Sequence, residues 1–420
     1  MANKNLDPFS GGRTFVQTGK AELPELDKWQ QIGEDEAAMA ADMIRRNELS
    51  GGTPEVREFE REWREWIGTQ FCITTINGTS ALYSAFFGLG VGPGDEVICP
   101  VNTWICTIAP ALLLGAKPVF CDIDPDTLML DPADVEAKIT ERTACIVPVH
   151  LWGNLCDMDA LKAIGAKHAI PLIEDCSHAH GAKYKGVMCG AIGDVGCWSL
   201  QGSKAVSAGE GGVLTTDNVD ALERACLVGQ VNRIQGIDLV RPKYEEHQPL
   251  GLGMKFRAHP LGIGIARVQF KKLNELNARR AAYIEAVEAG LADIPGLRPV
   301  SVYDGAERGG FYGFPAIHDP DEMGMPTAEF IDKAKQAGLR IGGTPYPNLH
   351  DLPLFAKGFD IFTRNRGPLC PGQGYTGYKP GDFPNAELAA SRTVFLPRLS
   401  DPVPEAAGIV LDTLRSAAQA

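Results

Sequence analysis

The sequence predicts an α/β protein, with a mostly parallel central sheet covered by helices in a large domain and a smaller α+β C-terminal domain behind it. Three observations carry this expectation. From about residue 70, short apolar or β-branched runs alternate with longer helix-like segments, the pattern of a parallel sheet covered by helices. At 420 residues, the chain exceeds what one hydrophobic core normally serves. Beyond a long helix-like segment that ends near residue 290, the alternation stops and the chain changes character.

The elements follow in order. Residues 1–50 read as an N-terminal arm and helix, the amphipathic helix at Leu26–Arg46 being followed by a Ser50-Gly51-Gly52 turn. The large domain, 51–290, carries candidate strands at Glu96–Cys99, Pro118–Ile123, Cys145–Val149, Pro171–Glu174, Val195–Leu200 and Gly212–Thr215. Helix-like stretches lie between or after them at Thr79–Leu89, Trp104–Leu114, Pro132–Ile139, Met158–Lys167 and Val219–Val228. Asp131 before Pro132, and Asp157 before its amphipathic run, read as helix caps. Gln230–His259 is polar and without clear periodicity, and Lys271–Ala292 reads as a long helix. In the small domain, 291–420, strands are expected near Gly310–Ile317 and Arg340–Ile341 and a helix at Thr327–Ala337. A proline- and glycine-rich loop runs from Gly367 to Pro384.

Composition narrows the function. Hydrophobic content of 44% and charged content of 22% are those of a soluble globular protein, and a net charge of -13 argues against nucleic acid or an anionic membrane as partner. MANKNLDPFSGGRTF lacks the continuous apolar stretch of a signal peptide, and the longest apolar run, WICTIAPALLLGA from Trp104, is too short to span a bilayer. A cytoplasmic protein is expected. The 11 cysteines include no C-x-x-C pair and sit mostly in apolar segments, as Cys99, Cys121, Cys145 and Cys197 do, so reduced core residues rather than a metal site are expected.

The chemistry concentrates at strand–loop junctions. GQGYTG, Gly372–Gly377, fits a dinucleotide fingerprint only formally, because it lies in the Pro/Gly-rich loop and not between a strand and a helix. NGTSAL at 77–82 opens a helix-like segment, where free amides and two hydroxyls suit a phosphate; Thr79 as a simple helix cap is the plainer reading. PLIEDCSHAHGA puts Glu174 and Asp175 at the end of an apolar strand, where a carboxylate must be paired, and His178 and His180 follow. One strand later, Ser199 and Lys204 reach the same sheet edge, the lysine set among small residues in WSLQGSKAVSAGEGG. A sheltered lysine, a buried acid, a phosphate cradle and an aromatic loop residue, Trp104, are the parts that pyridoxal phosphate needs.

These residues carry a family resemblance. NGTSAL at 77–82, GDEVICPVNTWICT at 94–107, PVFCDIDPDTLMLDP at 118–132, VPVHLWGN at 147–154, LIEDCSHAHGA at 172–182, WSLQGSKAVSAGEGGVLTT at 198–216, YPNLH at 346–350 and FLP at 395–397 resemble the DegT/DnrJ/StrS-type sugar aminotransferases, fold-type-I pyridoxal-phosphate enzymes. The resemblance implies Lys204 as the Schiff-base lysine, Asp175 on the pyridine nitrogen, His178 beside the ring near its phenolic oxygen, and Trp104 stacked on its face. It implies Gly78, Thr79, Ser80 and Ser199 around the phosphate. Lys255 in GMKFRAH falls where most relatives carry an asparagine that reaches the neighbouring subunit's phosphate, which implies an obligate homodimer with shared sites. His350 is a candidate substrate contact. The implied reaction is ping-pong: glutamine or glutamate gives its amine to the cofactor, held as pyridoxamine phosphate, and a keto-cyclitol or nucleotide-linked keto-sugar takes it in amino-sugar or aminocyclitol biosynthesis. Relatives that dehydrate sugars replace the lysine by histidine, so Lys204 favours transamination. A catalytically silent regulator on the same fold, or a nicotinamide-dependent sugar oxidoreductase, are the readings from other classes.

Overall fold

The computed structural model of the chain describes residues 26–28, 32–231, 243–247 and 250–419. Most of the N-terminal arm and part of Gln230–His259 therefore lie outside the described residues. Seven strands lie side by side in the order Lys117–Cys121, Glu96–Pro100, Thr143–Ile146, Ile173–Asp175, Val195–Ser199, Gly212–Thr216 and Phe71–Thr75. Two ladders meet at the parallel bridges Ile146–Leu172 and Val149–Asp175. The first five strands are mutually parallel, and Gly212–Thr216 runs antiparallel to both its neighbours. The α/β fold with a mostly parallel sheet is thus the one the alternation predicts.

Asp175 is the last residue of Ile173–Asp175 and pairs with Cys197 of the parallel strand Val195–Ser199, near the carboxyl ends where loops of an open parallel sheet assemble a site. Helix Gly78–Gly88 packs across Val195–Ser199 and Gly212–Thr216. The interior around this sheet holds Phe59, Trp63, Phe86, Ile98, Phe120 and Trp198, all fully buried. Leu349, Phe355, Leu369 and Phe383 join it from the last third of the chain. A second apolar cluster forms around an antiparallel sheet of Leu297–Pro299, Pro315–His318 and Thr393–Phe395, filled by Val287, Leu291, Phe314, Phe330, Val394 and Leu414.

Several local expectations change. The helix expected at Leu26–Arg46 spans only Glu34–Arg45, because Asp27 is bridged to Pro402 and Gly33 starts the helix, its amide donating to Glu36 Oε2 at 2.9 Å. Trp104–Leu114 is not one helix: Trp104 is extended, a 3-10 turn covers Ile105–Thr107, and Pro110 opens a short helix, Ala109–Leu113. Arg340–Ile341 forms no strand, and the contact there is a single bridge between Gly342 and Phe395. Near Gly310–Ile317 only Pro315–His318 is strand, since Gly310 and Phe311 turn through φ of 68° and 47°. The strand Phe71–Thr75 and the helices Pro54–Ile67, Pro260–Phe270 and Ala406–Gln419 are further elements. Asp131 and Asp157 cap their helices as expected, accepting from Ala133 N and Ala160 N.

Candidate active site

The strand Ile173–Asp175 delivers two carboxylates to different environments. Glu174 is fully buried; Oε1 accepts from the amides of Ile192 and Gly193, and Oε2 from Gly190 N at 2.8 Å, with His150 Nε2 at 3.0 Å. Cys156 N donates to His150 Nδ1 at 3.3 Å, which places the ring proton on Nε2, toward Glu174. His150, Glu174 and Cys176 are near enough to share an ion, yet the carboxylate already has a partner on each lone-pair side. Its donors make Glu174 a brace that ties Gly190–Gly193 to the sheet. The buried carboxylates are paired, as desolvation demands.

Asp175 points the other way. Its Oδ2 accepts from Thr107 Oγ1 at 2.8 Å and its Oδ1 from Ser177 N at 3.1 Å. His178 is buried, and its Nδ1 accepts from Trp152 N at 3.3 Å, so its neutral ring carries the proton on Nε2. Burial, with Lys204, His180 and Arg398 nearby, holds the His178 pKa far below the ordinary value. Lys204 lies on the turn after Val195–Ser199, its amide donating to Gln201 O at 2.8 Å. Burial lowers the pKa of its ammonium and Arg398 adds to that, while Tyr312 and Asp175 favour the charge.

Aromatic side chains that the sequence reading passed over complete the group. Lys204 Nζ stands 3.8 Å above the Tyr312 ring, which stacks on His178 at 3.9 Å. Tyr346 contacts Trp152 at 4.8 Å and Trp104 at 5.2 Å. Trp104 is 39% exposed and so stands at the solvent side of the group. The structure therefore brings together Asp175, His178 and Lys204, with Trp104 joined to them through Tyr346.

The start of helix Gly78–Gly88 sits directly on Ser199. A Cβ at Gly78 would meet Ser199 Cβ at 2.8 Å, so glycine alone lets the helix N-terminus approach the strand end this closely. The helix cap is Asn77, not Thr79: Asn77 Oδ1 accepts from Ser80 N at 2.8 Å. The Thr79 hydroxyl is thus not needed as the cap.

Two further expected site residues lie outside this group. His350 is buried, with Nε2 3.1 Å from Glu387 Oε1 and its ring 4.9 Å from Phe383. Its Nε2 therefore already has a carboxylate partner in this structure. Lys255 is exposed, in an extended segment bridged to Gln230, next to Phe256, whose carbonyl accepts from Ile76 N. The GQGYTG segment contains a 3-10 turn at Pro371–Gln373 and no strand-to-helix junction. Among the described residues, no helix is long and apolar enough to cross a membrane.

A buried lysine and a carboxylate thus lie near the carboxyl ends of neighbouring parallel strands, on a sheet with one antiparallel member, and the fold is that of the fold-type-I pyridoxal-phosphate aminotransferases. The chain belongs to the DegT/DnrJ/EryC1/StrS aminotransferase family, whose model matches residues 30–366. It is 34% identical over 362 residues to the L-glutamine:2-deoxy-scyllo-inosose aminotransferase of Streptomyces paromomycinus, covering 82% of this chain and 81% of that one. It is 32% identical over 376 residues to the spore coat polysaccharide biosynthesis protein SpsC of Bacillus subtilis (strain 168), covering 87% and 90%. Among solved structures it is similar to 3-amino-5-hydroxybenzoic acid synthase, with a TM-score of 0.78, 26% identity and coverage of 94% and 99%. It is also similar to S. venezuelae DesV in complex with a ketimine intermediate, with a TM-score of 0.77, 28% identity and coverage of 92% and 94%.

Proposed function

We propose that this chain binds pyridoxal 5'-phosphate, cycling through pyridoxamine 5'-phosphate, and moves an amino group from glutamine or glutamate to a keto group on a cyclic polyol. The observation that carries the reading is the convergence of the Lys204 amine with the Asp175 carboxylate at one edge of the sheet. The residues suit the cofactor: Asp175 would hold the pyridine nitrogen protonated, Lys204 its aldehyde carbon, and the Gly78–Ser80 helix start with Ser199 its phosphate. His178 and Trp104 would flank the ring. When bound, the cofactor supplies an electron sink for the carbon that loses its proton.

The protein's own part is proton handling and positioning. Thr107 and Ser177 fix the Asp175 carboxylate by hydrogen bonds to separate oxygens. Lys204 Nζ, its proton affinity lowered by burial, takes up and returns a proton at the reacting carbon. His178, kept neutral, adds no second cation beside that amine.

For the acceptor we favour a free keto-cyclitol over a nucleotide-linked keto-sugar, supported by the likeness to the inosose aminotransferase. We take the enzyme to be a cytoplasmic homodimer in which the exposed Lys255 reaches the phosphate of a second copy, with 51–290 and 291–420 as its large and small domains. Incubation with amide-¹⁵N- or α-¹⁵N-glutamine and either acceptor class, read by mass spectrometry, tests the assignment. Transfer of the α-nitrogen to the cyclitol supports it. Transfer only to the nucleotide-linked sugar overturns the acceptor, and no transfer to either overturns the cyclic-polyol reading.

A further inference from the structure

The segment before Tyr312 is built to set one ring against Lys204. A Cβ on Gly309 would stand 2.4 Å from Ala182 N, and one on Gly310 would stand 2.6 Å from both His178 O and His180 N. Two successive glycines therefore let the 309–310 backbone lie directly on the loop that carries His178. Phe311 then takes φ of 47°, a left-handed conformation that is unfavourable for a residue with a side chain. Its side chain is buried in the second apolar cluster, which offsets that cost.

Tyr312, delivered by this turn, is held from several directions. Its ring stacks on His178 at 3.9 Å, its hydroxyl is 3.0 Å from Ser203 Oγ, and its carbonyl accepts from Arg398 Nη1 at 2.9 Å. Ser203 directly precedes Lys204, so the platform and the lysine loop are tied together. Lys204 Nζ lies 3.8 Å over the centre of that ring, within the range at which an aromatic face attracts an ammonium.

We infer that Tyr312 is a positioning residue whose ring face is the seat of the free Lys204 ammonium, keeping the amine beside Asp175 and His178 between its turns as a cofactor ligand. The turns as a cofactor ligand rest on the proposed function; the seat itself rests on the geometry. The charged and titratable groups around it are Asp175, His178 and His180 from the Ile173–Asp175 strand and its loop, Cys106 from the 3-10 turn, and Arg398, Tyr312 and Tyr346 from the C-terminal third. Arg398 opposes a charge on Lys204, whereas Asp175 and Cys106 favour it. The ring face adds a contact of its own, 3.8 Å from the ammonium, and removing the ring removes that contact.

Competitive labelling of the full chain with acetic anhydride, after removal of any bound cofactor, tests this directly. Mass spectrometry of the Lys204 peptide across pH gives a midpoint that reads proton affinity, separately from a plateau that reads access. Tyr312→Phe keeps the face and should keep the midpoint. Tyr312→Leu should lower it by about 0.4–1.5 pH units, a roughly 2- to 30-fold weaker hold on the proton. Tyr312→Met replaces the leucine variant if thermal melting shows that one to be unfolded. A midpoint in the ringless variant equal to or above that of the wild type would overturn the inference. The labelling needs no cofactor, so a wild-type protein that fails to take up pyridoxal phosphate would sink the proposed function while leaving this result readable.

Discussion

Thr107 Oγ1 lies 2.8 Å from Asp175 Oδ2 and 3.0 Å from Thr103 Oγ1. A hydroxyl has one proton to give, so Thr107 donates to the carboxylate and accepts from Thr103. This two-hydroxyl chain orients Asp175 with no added charge. Bonds to a charged acceptor contribute about 1.5–3 kcal/mol. Thr107→Val is expected to weaken retention of pyridoxal phosphate by roughly tenfold or more, read by titrating the visible band.

Gly78 gives a steric prediction. Its absent Cβ is what allows the helix start to meet Ser199. Gly78→Ala should push helix and strand apart, costing about 1–3 kcal/mol in stability. Loss of cofactor affinity should exceed that of an alanine placed elsewhere on the helix, and the two are compared by urea melts and equilibrium dialysis.

Glu174 tests the buried brace. Glu174→Ala leaves the amides of Gly190, Ile192 and Gly193 and the His150 ring without their acceptor. Breaking a buried charged network costs about 3–5 kcal/mol. Urea unfolding should show a loss of that order, far beyond the effect of a surface Glu→Ala change.

His180 sets an acid limit on stability. Burial, reinforced by Lys204 and Arg280, pushes its pKa down to about 3, and its Nε2 is buried without a hydrogen-bond partner among the described residues. The folded state refuses a proton that the unfolded chain accepts near pH 6.5. The stabilisation is therefore full above about pH 6.5 and lost as pH falls from there toward 3, by about 1.4 kcal/mol per pH unit at most. His178 adds in the same sense. His180→Phe should flatten the acid slope of urea-derived stability by close to one proton; an unchanged slope would contradict the assignment.

Much of this site was legible because its polar residues sit where apolar strands end. IEDCSH after Pro171-Leu172 and SLQGSK after Val195–Trp198 announce functional loops by that position alone. Tyr312, Tyr346, Trp152 and Arg398 were not, since they gather around His178 and the Tyr312 ring from four distant segments and look like core or surface residues in isolation. The Gly309-Gly310 pair was the one local signal of a close backbone approach. Strand Phe71–Thr75 escaped because FCITT is short and half polar, and its place comes from pairing with Gly212–Thr216. Helix Pro54–Ile67 was readable in retrospect: Val56, Phe59, Trp63 and Ile67 are spaced for one buried face, and Pro54 follows Thr53 at its start.

The central claim, that Lys204 and Asp175 make this chain a pyridoxal-phosphate aminotransferase, is tested most directly by the visible absorption spectrum of the purified protein with pyridoxal phosphate, before and after glutamine or glutamate, alongside Lys204→Ala. The account predicts a yellow protein bleached by the amino donor, and a Lys204→Ala protein that never shows the wild-type band. A wild-type protein that stays colourless with the cofactor, or keeps its band unchanged with both donors, would contradict it.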